Sequence, residues 1–266
     1  MTTFSTDNRK SVCLVRKGHM GDVILTEPIA RALRTTYNRV VLCTDYLQIA
    51  RLLDSYDEIL PYARYVFNEL SEFSKVIVLS YELYPGCHYI DGYAQSAQVR
   101  LKTRLPQIVG STKRFIREQY GLIAPDVSNW IQNMRQWSYS RYATLQHLLE
   151  IKLGFPFIML SPSHSFEEMI SLIEHTSCFI GNDSGPAILA QCFSRRAFVI
   201  FGATSPTSVL FHPLTTSITI DVGCNGCKHF TRYTNIECAT PICLQALTVD
   251  IVLKRILGTF NPLQVI

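Results

Sequence analysis

The fold is decided by the stretch Cys178-Phe-Ile-Gly-Asn-Asp-Ser-Gly-Pro-Ala-Ile-Leu-Ala-Gln-Cys192. Its first residues suit a short buried strand, and the polar run at 182–185 separates them from an apolar, alanine-containing segment. Pro186 marks the start of a helix, because proline is favoured in the first helical turn. A strand, a tight turn and a helix predict a parallel α/β unit whose helix N-terminus binds a phosphate or diphosphate. A capped strand-to-helix junction with no ligand explains the same residues equally well.

Strands and helices alternate on both sides of this stretch. Such alternation predicts parallel βαβ units and therefore a doubly wound α/β fold. The predicted strands are residues 11–16, 39–44, 57–61, 75–80, 157–161, 178–181, 197–201 and 217–221. The predicted helices are residues 23–34, 46–53, 87–99, 140–149, 166–175, 247–257 and the segment that begins at 186.

The length of the chain bounds the number of domains. Its 266 residues can form two Rossmann-like domains of roughly 100–150 residues each. We predict a first domain at 1–120 and a second at 121–266, facing each other across a cleft that holds the chemistry. The sequence shows no clear first strand for the second domain before Arg135.

Composition indicates a globular protein with a substantial core, at 47% hydrophobic and 17% charged residues. A net charge of +4 does not by itself argue for nucleic-acid binding. The sequence has neither the ~20 consecutive apolar residues of a membrane span nor the apolar core of a secretory signal. We therefore predict a cytoplasmic protein, with peripheral contact to the inner face of the membrane left open.

The turn Gly18-His-Met-Gly-Asp22 joins the first predicted strand to the first helix. It lacks the glycine spacing of a dinucleotide fingerprint and the Lys-Ser/Thr pair of a phosphate-binding loop. It does place the carboxylate of Asp22 at the mouth of the sheet. Asp22 is a candidate general base there, and a helix cap is the structural alternative.

The turn at 181–185 differs from a serine-hydrolase elbow. Ser184 directly precedes the second glycine, whereas the elbow centres its serine between two intervening positions. A serine hydrolase is therefore disfavoured.

Four cysteines near the C-terminus have the spacing C-x2-C-x10-C-x4-C, which is typical of a four-thiolate metal knuckle. Zn²⁺ is the default ion for such a site, and Fe is chemically feasible. A site closed by four sulfurs has a structural role, and two separate thiol pairs are the alternative. The candidate ligands, within the segment 222–245, are Cys224, Cys227, Cys238 and Cys243.

A nucleic-acid-binding zinc ribbon is another interpretation of these cysteines. The nearby basic residues Lys228, His229 and Arg232 are too few to favour it. We therefore expect no nucleic-acid partner.

Together these motifs resemble glycosyltransferase family 9, the ADP-heptose:lipopolysaccharide heptosyltransferases and their relatives. Residues 20–33 are similar to the first loop and helix of that family, and 179–186 and 201–206 to two signatures of its C-terminal domain. Many members also carry a cysteine-rich segment before the last helix. Arg135-Gln-Trp137 is similar to a Lys-x-Trp pattern that contacts the donor phosphate.

The resemblance implies a GT-B fold, with the acceptor on the first domain and a nucleotide sugar, ADP-heptose, on the second. Asp22 would deprotonate an acceptor hydroxyl, which would displace the diphosphate in one inverting step. The acceptor would be a sugar of an envelope glycolipid, or a protein hydroxyl. Backbone N–H groups and a cation would neutralise the leaving group without a divalent metal. The implied donor-binding residues are Arg135, Asp183, Ser184, Gly185 and Thr204.

Two departures from the family support a second hypothesis. Ile188 stands where many members have a histidine, and the chain is short for the family. The alternative function is a non-catalytic GT-B-like binding module that a structural metal stabilises.

Overall fold

A computed structural model describes residues 10–127, 132–227 and 238–260. The chain forms two compact units, Met1–Val109 and Gly110–Ile266. Each unit contains one parallel sheet flanked by helices, so the predicted α/β fold is confirmed.

The sheet of the first unit has the strand order β3-β2-β1-β4, with every neighbouring pair parallel. Its two central strands are almost entirely buried, which explains their unbroken apolar sequence. The strands are β1 (Ser11–Val15), β2 (Arg39–Thr44), β3 (Glu58–Pro61) and β4 (Lys75–Val78).

The helix predicted at 23–34 is two helices. Pro28 lies in the first turn of the second helix, where its missing N–H costs no hydrogen bond, but it prevents the first helix from continuing. Thr26 closes the junction by donating its hydroxyl to the Val23 carbonyl at 2.7 Å. The helices of this unit are α1 (Met20–Ile24), α2 (Glu27–Leu33), α3 (Leu47–Ala50), α4 (Ala63–Val66) and α5 (Tyr89–Ala97).

The second sheet has the order β6-β5-β7-β8-β9 and is also parallel throughout. Its first strand, β5, was not predicted from the sequence. β5 is only four residues long, and Gly121 and Pro125 at its ends resemble the punctuation of a loop. The strands are β5 (Gly121–Ala124), β6 (Phe157–Met159), β7 (Cys178–Asn182), β8 (Ala197–Ile200) and β9 (Thr215–Ile218).

The helices predicted at 140–149, from 186 and at 247–257 are present in the second unit, together with three helices of four residues each that were not predicted. The helix at 166–175 has the predicted bounds. Ser165 and Glu168 form a capping box at its start. The helices are α6 (Gln132–Arg135), α7 (Tyr139–Leu153), α8 (Phe166–His175), α9 (Gly185–Cys192), α10 (Pro206–Val209), α11 (Ile242–Gln245) and α12 (Val249–Thr259).

The core of the second unit forms where α7, α11 and α12 pack on one face of its sheet. Trp137 is 1% exposed, packs edge-on against Tyr142, and donates its indole N–H to the Leu247 carbonyl at 2.7 Å. This packing fixes the chain immediately after Arg135.

Each sheet has a topological switch point, where successive connections leave in opposite directions and ligands of open α/β sheets bind. In the first unit it lies between the carboxyl ends of β1 and β4, and in the second between those of β5 and β7. None of the helices in the described part of the chain is both long enough and apolar enough to cross a bilayer.

Candidate functional site

Asp22 lies at the switch point of the first unit, in the first turn of α1. Its Oδ2 accepts the backbone N–H of His19 at 2.9 Å, so the carboxylate does cap the helix. Its Oδ1 accepts bonds from Arg16 Nη2 at 3.1 Å and from the Tyr81 hydroxyl at 3.0 Å. The side chain remains 17% exposed, which leaves it accessible to a substrate hydroxyl. The capping interpretation is confirmed, and a role as a general base stays a prediction.

Arg16 follows β1 directly and is buried beside Asp22. The carboxylate of Glu82, which follows β4, accepts hydrogen bonds from both terminal nitrogens of Arg16, at 3.0 Å from Nη1 and 2.7 Å from Nη2. The guanidinium also donates to the Leu79 carbonyl at 3.2 Å. One cation is therefore shared by two carboxylates, so these three side chains together keep a net negative charge when they are ionised.

In the second unit, the turn after β7 leads into α9 as predicted, although the helix begins at Gly185, one residue before the proline. Ser184 is the N-cap residue and donates its hydroxyl to the Asn182 carbonyl at 3.1 Å. A serine hydrolase would need this hydroxyl beside an imidazole, whereas here it donates to a main-chain carbonyl. The first turn of a helix leaves backbone N–H groups without intrahelical partners, and here they point away from α9 at the sheet edge.

Ile188 lies one turn further along α9 and is 4% exposed. Its backbone N–H completes the first helical bond, to the Ser184 carbonyl at 3.2 Å. The side chain belongs to the packed interior.

The structure brings together two of the residues that were predicted to bind the nucleotide-sugar donor. Arg135 Nη2 lies 2.8 Å from Asp183 Oδ2, with side-chain exposures of 19% and 7%. The same nitrogen also donates to the Asp183 carbonyl. The predicted phosphate-binding cation is therefore paired with a carboxylate of the turn itself.

Asn182 ties this turn to its surroundings and was not singled out from the sequence. Its Oδ1 accepts the Trp137 backbone N–H and the Tyr142 hydroxyl, each at 2.9 Å. Its Nδ2 donates to the Pro125 carbonyl at 2.6 Å. This fully buried side chain joins the carboxyl ends of β5 and β7 at the switch point.

Thr204 lies in the turn after β8, at the same sheet edge, and is 7% exposed. The neighbouring Ala203 donates its N–H to the Met134 carbonyl at 3.2 Å, which connects this turn to α6 and thus to Arg135. Position 202 requires glycine, because a Cβ there would lie 2.5 Å from the carbonyl oxygen of Met134. The predicted donor residues are therefore held by connected segments of one unit.

The four cysteines predicted to bind a metal all lie within the described residues. Within residues 10–127, 132–227 and 238–260, no three His, Cys, Asp or Glu side chains form a group that could hold a metal ion. The predicted site is therefore not shown. Burial, and to a smaller extent the other three cysteines, raise the pKa of the Cys243 thiol. Lys228, His229 and Arg232, which bear on the zinc-ribbon interpretation, lie outside the described residues.

The cysteine segment contacts the candidate donor site directly. Gly226, between the first two cysteines, donates its N–H to the Gly202 carbonyl at 3.2 Å. Leu244, beside Cys243, packs against Gly202. The segment therefore supports the turn that carries Thr204.

Residues 113–239 match the family described as glycosyltransferase family 9 (heptosyltransferase), which confirms the predicted resemblance. Lipopolysaccharide heptosyltransferase 1 from Campylobacter coli is 31% identical over 104 residues. That match spans 39% of this chain and 29% of the Campylobacter protein.

Solved structures show the same fold at low sequence identity. TibC from enterotoxigenic E. coli, an iron-containing dodecameric glycosyltransferase, superimposes with a TM-score of 0.72 at 15% identity, over 98% of this chain and 79% of TibC. TibC has also been solved with ADP-D-β-D-heptose, with a TM-score of 0.71, 17% identity and coverages of 97% and 78%. ADP-heptose LPS heptosyltransferase II from E. coli gives 0.69 at 14% identity, over 93% of this chain and 98% of that enzyme.

Sequence reasoning missed Arg16, Tyr81 and Glu82 as parts of the first site. A signal for them was present, because Arg16 ends one predicted strand, and Tyr81 and Glu82 are the first two residues after another. The order of the strands decides which ends become neighbours, and that order was not predicted.

Proposed function

We propose, from the match of residues 113–239 to glycosyltransferase family 9 (heptosyltransferase), that this chain transfers a sugar, heptose from ADP-heptose, to a hydroxyl of an envelope glycolipid. The transfer is a single displacement with inversion at the anomeric carbon. Acceptor binding belongs to the first unit and donor binding to the second.

Asp22 is the general base of this reaction. It takes the proton of the acceptor hydroxyl while the acceptor oxygen bonds to the anomeric carbon. The bond from that carbon to the diphosphate breaks in the same step, and its electron pair leaves with ADP. The placement of Asp22 at a switch point, partly exposed and held by three hydrogen-bond donors, supports this role.

The turn after β7 binds the diphosphate. Ser184 and Gly185 present the N-terminus of α9, whose N–H groups and dipole stabilise the negative charge that develops on the leaving group. Arg135 offsets the charge of Asp183 within this turn, and Thr204 adds a polar side chain from the next strand end. The leaving group therefore departs without help from a divalent metal.

One observation carries the proposal: the strand–turn–helix of the family match lies at the switch point of its sheet, where nucleotide ligands of such folds bind. A thermal-shift series with ADP, ADP-heptose, UDP and GDP tests it. At 100 times its dissociation constant, a ligand stabilises the folded state by about 2.7 kcal/mol. We expect stabilisation by ADP and ADP-heptose, and stabilisation by none of these nucleotides would contradict the proposal.

The alternative is a non-catalytic binding module, which the family match over residues 113–239 does not favour. Incubation with ADP-heptose and a heptose-deficient lipopolysaccharide core oligosaccharide separates the two. Donor binding without release of ADP would favour the binding module.

The family context and the donor set of the cysteine segment suggest a bound metal. We propose that Cys224, Cys227, Cys238 and Cys243 hold one Zn²⁺ or Fe ion. Four thiols are a suitable set of ligands for either ion, and their C-x2-C-x10-C-x4-C spacing supports the proposal. A closed four-sulfur site would stabilise the fold and take no part in the transfer.

Elemental analysis should find one Zn or Fe per chain in protein purified without chelator. Cys224→Ser should lower the melting temperature by roughly 5–10 °C, because metal binding contributes to folding free energy. Cys87→Ser is the matched control, since this thiol lies in the first unit, where it accepts a hydrogen bond from Gln95 Nε2 at 3.6 Å. A metal-free preparation with unchanged melting in Cys224→Ser would contradict the metal site.

We also propose a cytoplasmic location, with contact to the membrane face that displays the glycolipid. The nine cysteines support it, because thiols persist in a reducing compartment.

A further inference from the structure

The structure points to one oxygen of Asp22 as the proton acceptor. We propose that Tyr81 is a positioning residue, whose hydroxyl acts with Arg16 to fix the carboxylate so that Oδ2 takes the acceptor proton. The inference rests on the proposed glycosyl transfer and adds a residue that the family motifs do not include.

The donors around Asp22 distinguish its two oxygens. A carboxylate oxygen offers two lone-pair directions. Both directions of Oδ1 are used, by Arg16 at 3.1 Å and Tyr81 at 3.0 Å. In the described residues, Oδ2 accepts one bond, from the His19 N–H at 2.9 Å. One lone pair of Oδ2 is therefore left for a substrate hydroxyl.

Gly18 keeps the space beside Oδ2 open. A Cβ at this position would lie 2.7 Å from Oδ2 and 2.9 Å from the Cβ of Asp22. Any larger residue would therefore crowd the oxygen that we assign as the base.

The Tyr81 ring is held on several sides, so its hydroxyl has a defined direction. It stacks on Tyr89 with centroids 3.8 Å apart and an interplanar angle of 11°. The Arg16 guanidinium lies 4.8 Å from the Tyr81 ring centroid. α5 approaches closely enough that a Cβ on Gly92 would lie 2.8 Å from the Cα of Tyr81.

The chemistry of the phenol suits a permanent donor. Burial and the neighbouring Asp22 charge raise the pKa of Tyr81 well above its ordinary value. The hydroxyl therefore stays protonated in the pH range of enzyme assays and always donates. Tyr93 also contacts Asp22, but its hydroxyl lies 3.4 Å from the backbone carbonyl oxygen and not from the carboxylate.

The test removes only the hydroxyl of Tyr81. Tyr81→Phe keeps the stacked ring and removes the bond to Oδ1, so the carboxylate can rotate. We expect kcat for ADP release from ADP-heptose, with the core oligosaccharide as acceptor, to fall about tenfold. The KM for ADP-heptose should stay within about twofold, because the donor is bound elsewhere.

Tyr56→Phe is the matched control. Its hydroxyl donates to Thr26 at 2.6 Å in the interior of the same unit, so its loss should lower stability to a similar extent. Turnover by Tyr56→Phe should equal that of the wild type. If wild-type protein and Tyr81→Phe turn over alike, the positioning role is overturned and the proposed function stands. If the wild type releases no ADP at all, the proposed function fails and this inference fails with it.

Discussion

Replacing Asp22 with asparagine should abolish sugar transfer and leave ADP-heptose binding nearly intact. Asparagine has the same shape but cannot accept a proton, and general-base catalysis is worth about 10²–10⁴-fold in rate. The variant also loses the bond from His19 to Oδ2, since an amide nitrogen does not accept, at a stability cost of about 1 kcal/mol. Initial rates of ADP release and calorimetric titration with ADP-heptose measure the two effects separately.

Asp45→Asn is the control for this variant. Asp45 follows β2 at the same sheet edge and accepts the Gly18 N–H at 3.2 Å, whereas the described residues that donate to the Asp22 carboxylate are Arg16, His19 and Tyr81. We expect its turnover to stay within about threefold of the wild type, given the small effect of most exposed substitutions. Asp22→Asn retaining more than a tenth of wild-type turnover would remove Asp22 from the role of base.

Arg135→Gln should weaken ADP binding about 100-fold. Loss of the cation leaves the Asp183 carboxylate, with its 7% exposed side chain, unpaired in the turn proposed to bind a diphosphate. Truncating one partner of such a pair typically costs 2–5 kcal/mol, much of it from the charge left behind. Calorimetry with ADP measures the loss, and thermal melting measures the accompanying destabilisation.

The double variant Arg135→Gln/Asp183→Asn identifies the cause. If Arg135 acts mainly by neutralising Asp183, removing both charges should restore affinity to within about tenfold of the wild type. If the double variant binds as weakly as Arg135→Gln, Arg135 instead contacts the phosphate directly, as the family resemblance implies. Arg141→Gln is the control, because Arg141 binds the carbonyls of Leu244, Gln245 and Leu247 rather than the turn.

Local patterns were sufficient for much of this fold. The strand at 39–44 and the helix at 166–175 have the predicted bounds, because both combine a clear apolar pattern with strong end signals. The turn at 182–185 was located for the same reason, since its polar residues interrupt two apolar segments. Features defined by neighbouring residues can be predicted from the sequence.

Features defined by distant residues could not be predicted. Arg135 and Asp183 are 48 positions apart, and nothing near either residue indicates their pairing. Tyr81 reaches Asp22 from 59 positions away, because β4 happens to lie beside β1. The sequence supplied the chemical groups of each site, whereas strand order determines which of them meet.

The central position of β5 has a consequence for folding during synthesis. β5 is hydrogen-bonded on one side to β6, beginning at Phe157, and on the other to β7, beginning at Cys178. A ribosome must therefore complete β6 before this four-residue segment has any strand partner, and β7 before both of its edges are paired. Non-local pairing of this kind slows folding and meanwhile leaves apolar side chains and unpaired strand edges exposed. The nascent second unit is thus most vulnerable to aggregation while residues between β5 and β7 are being made.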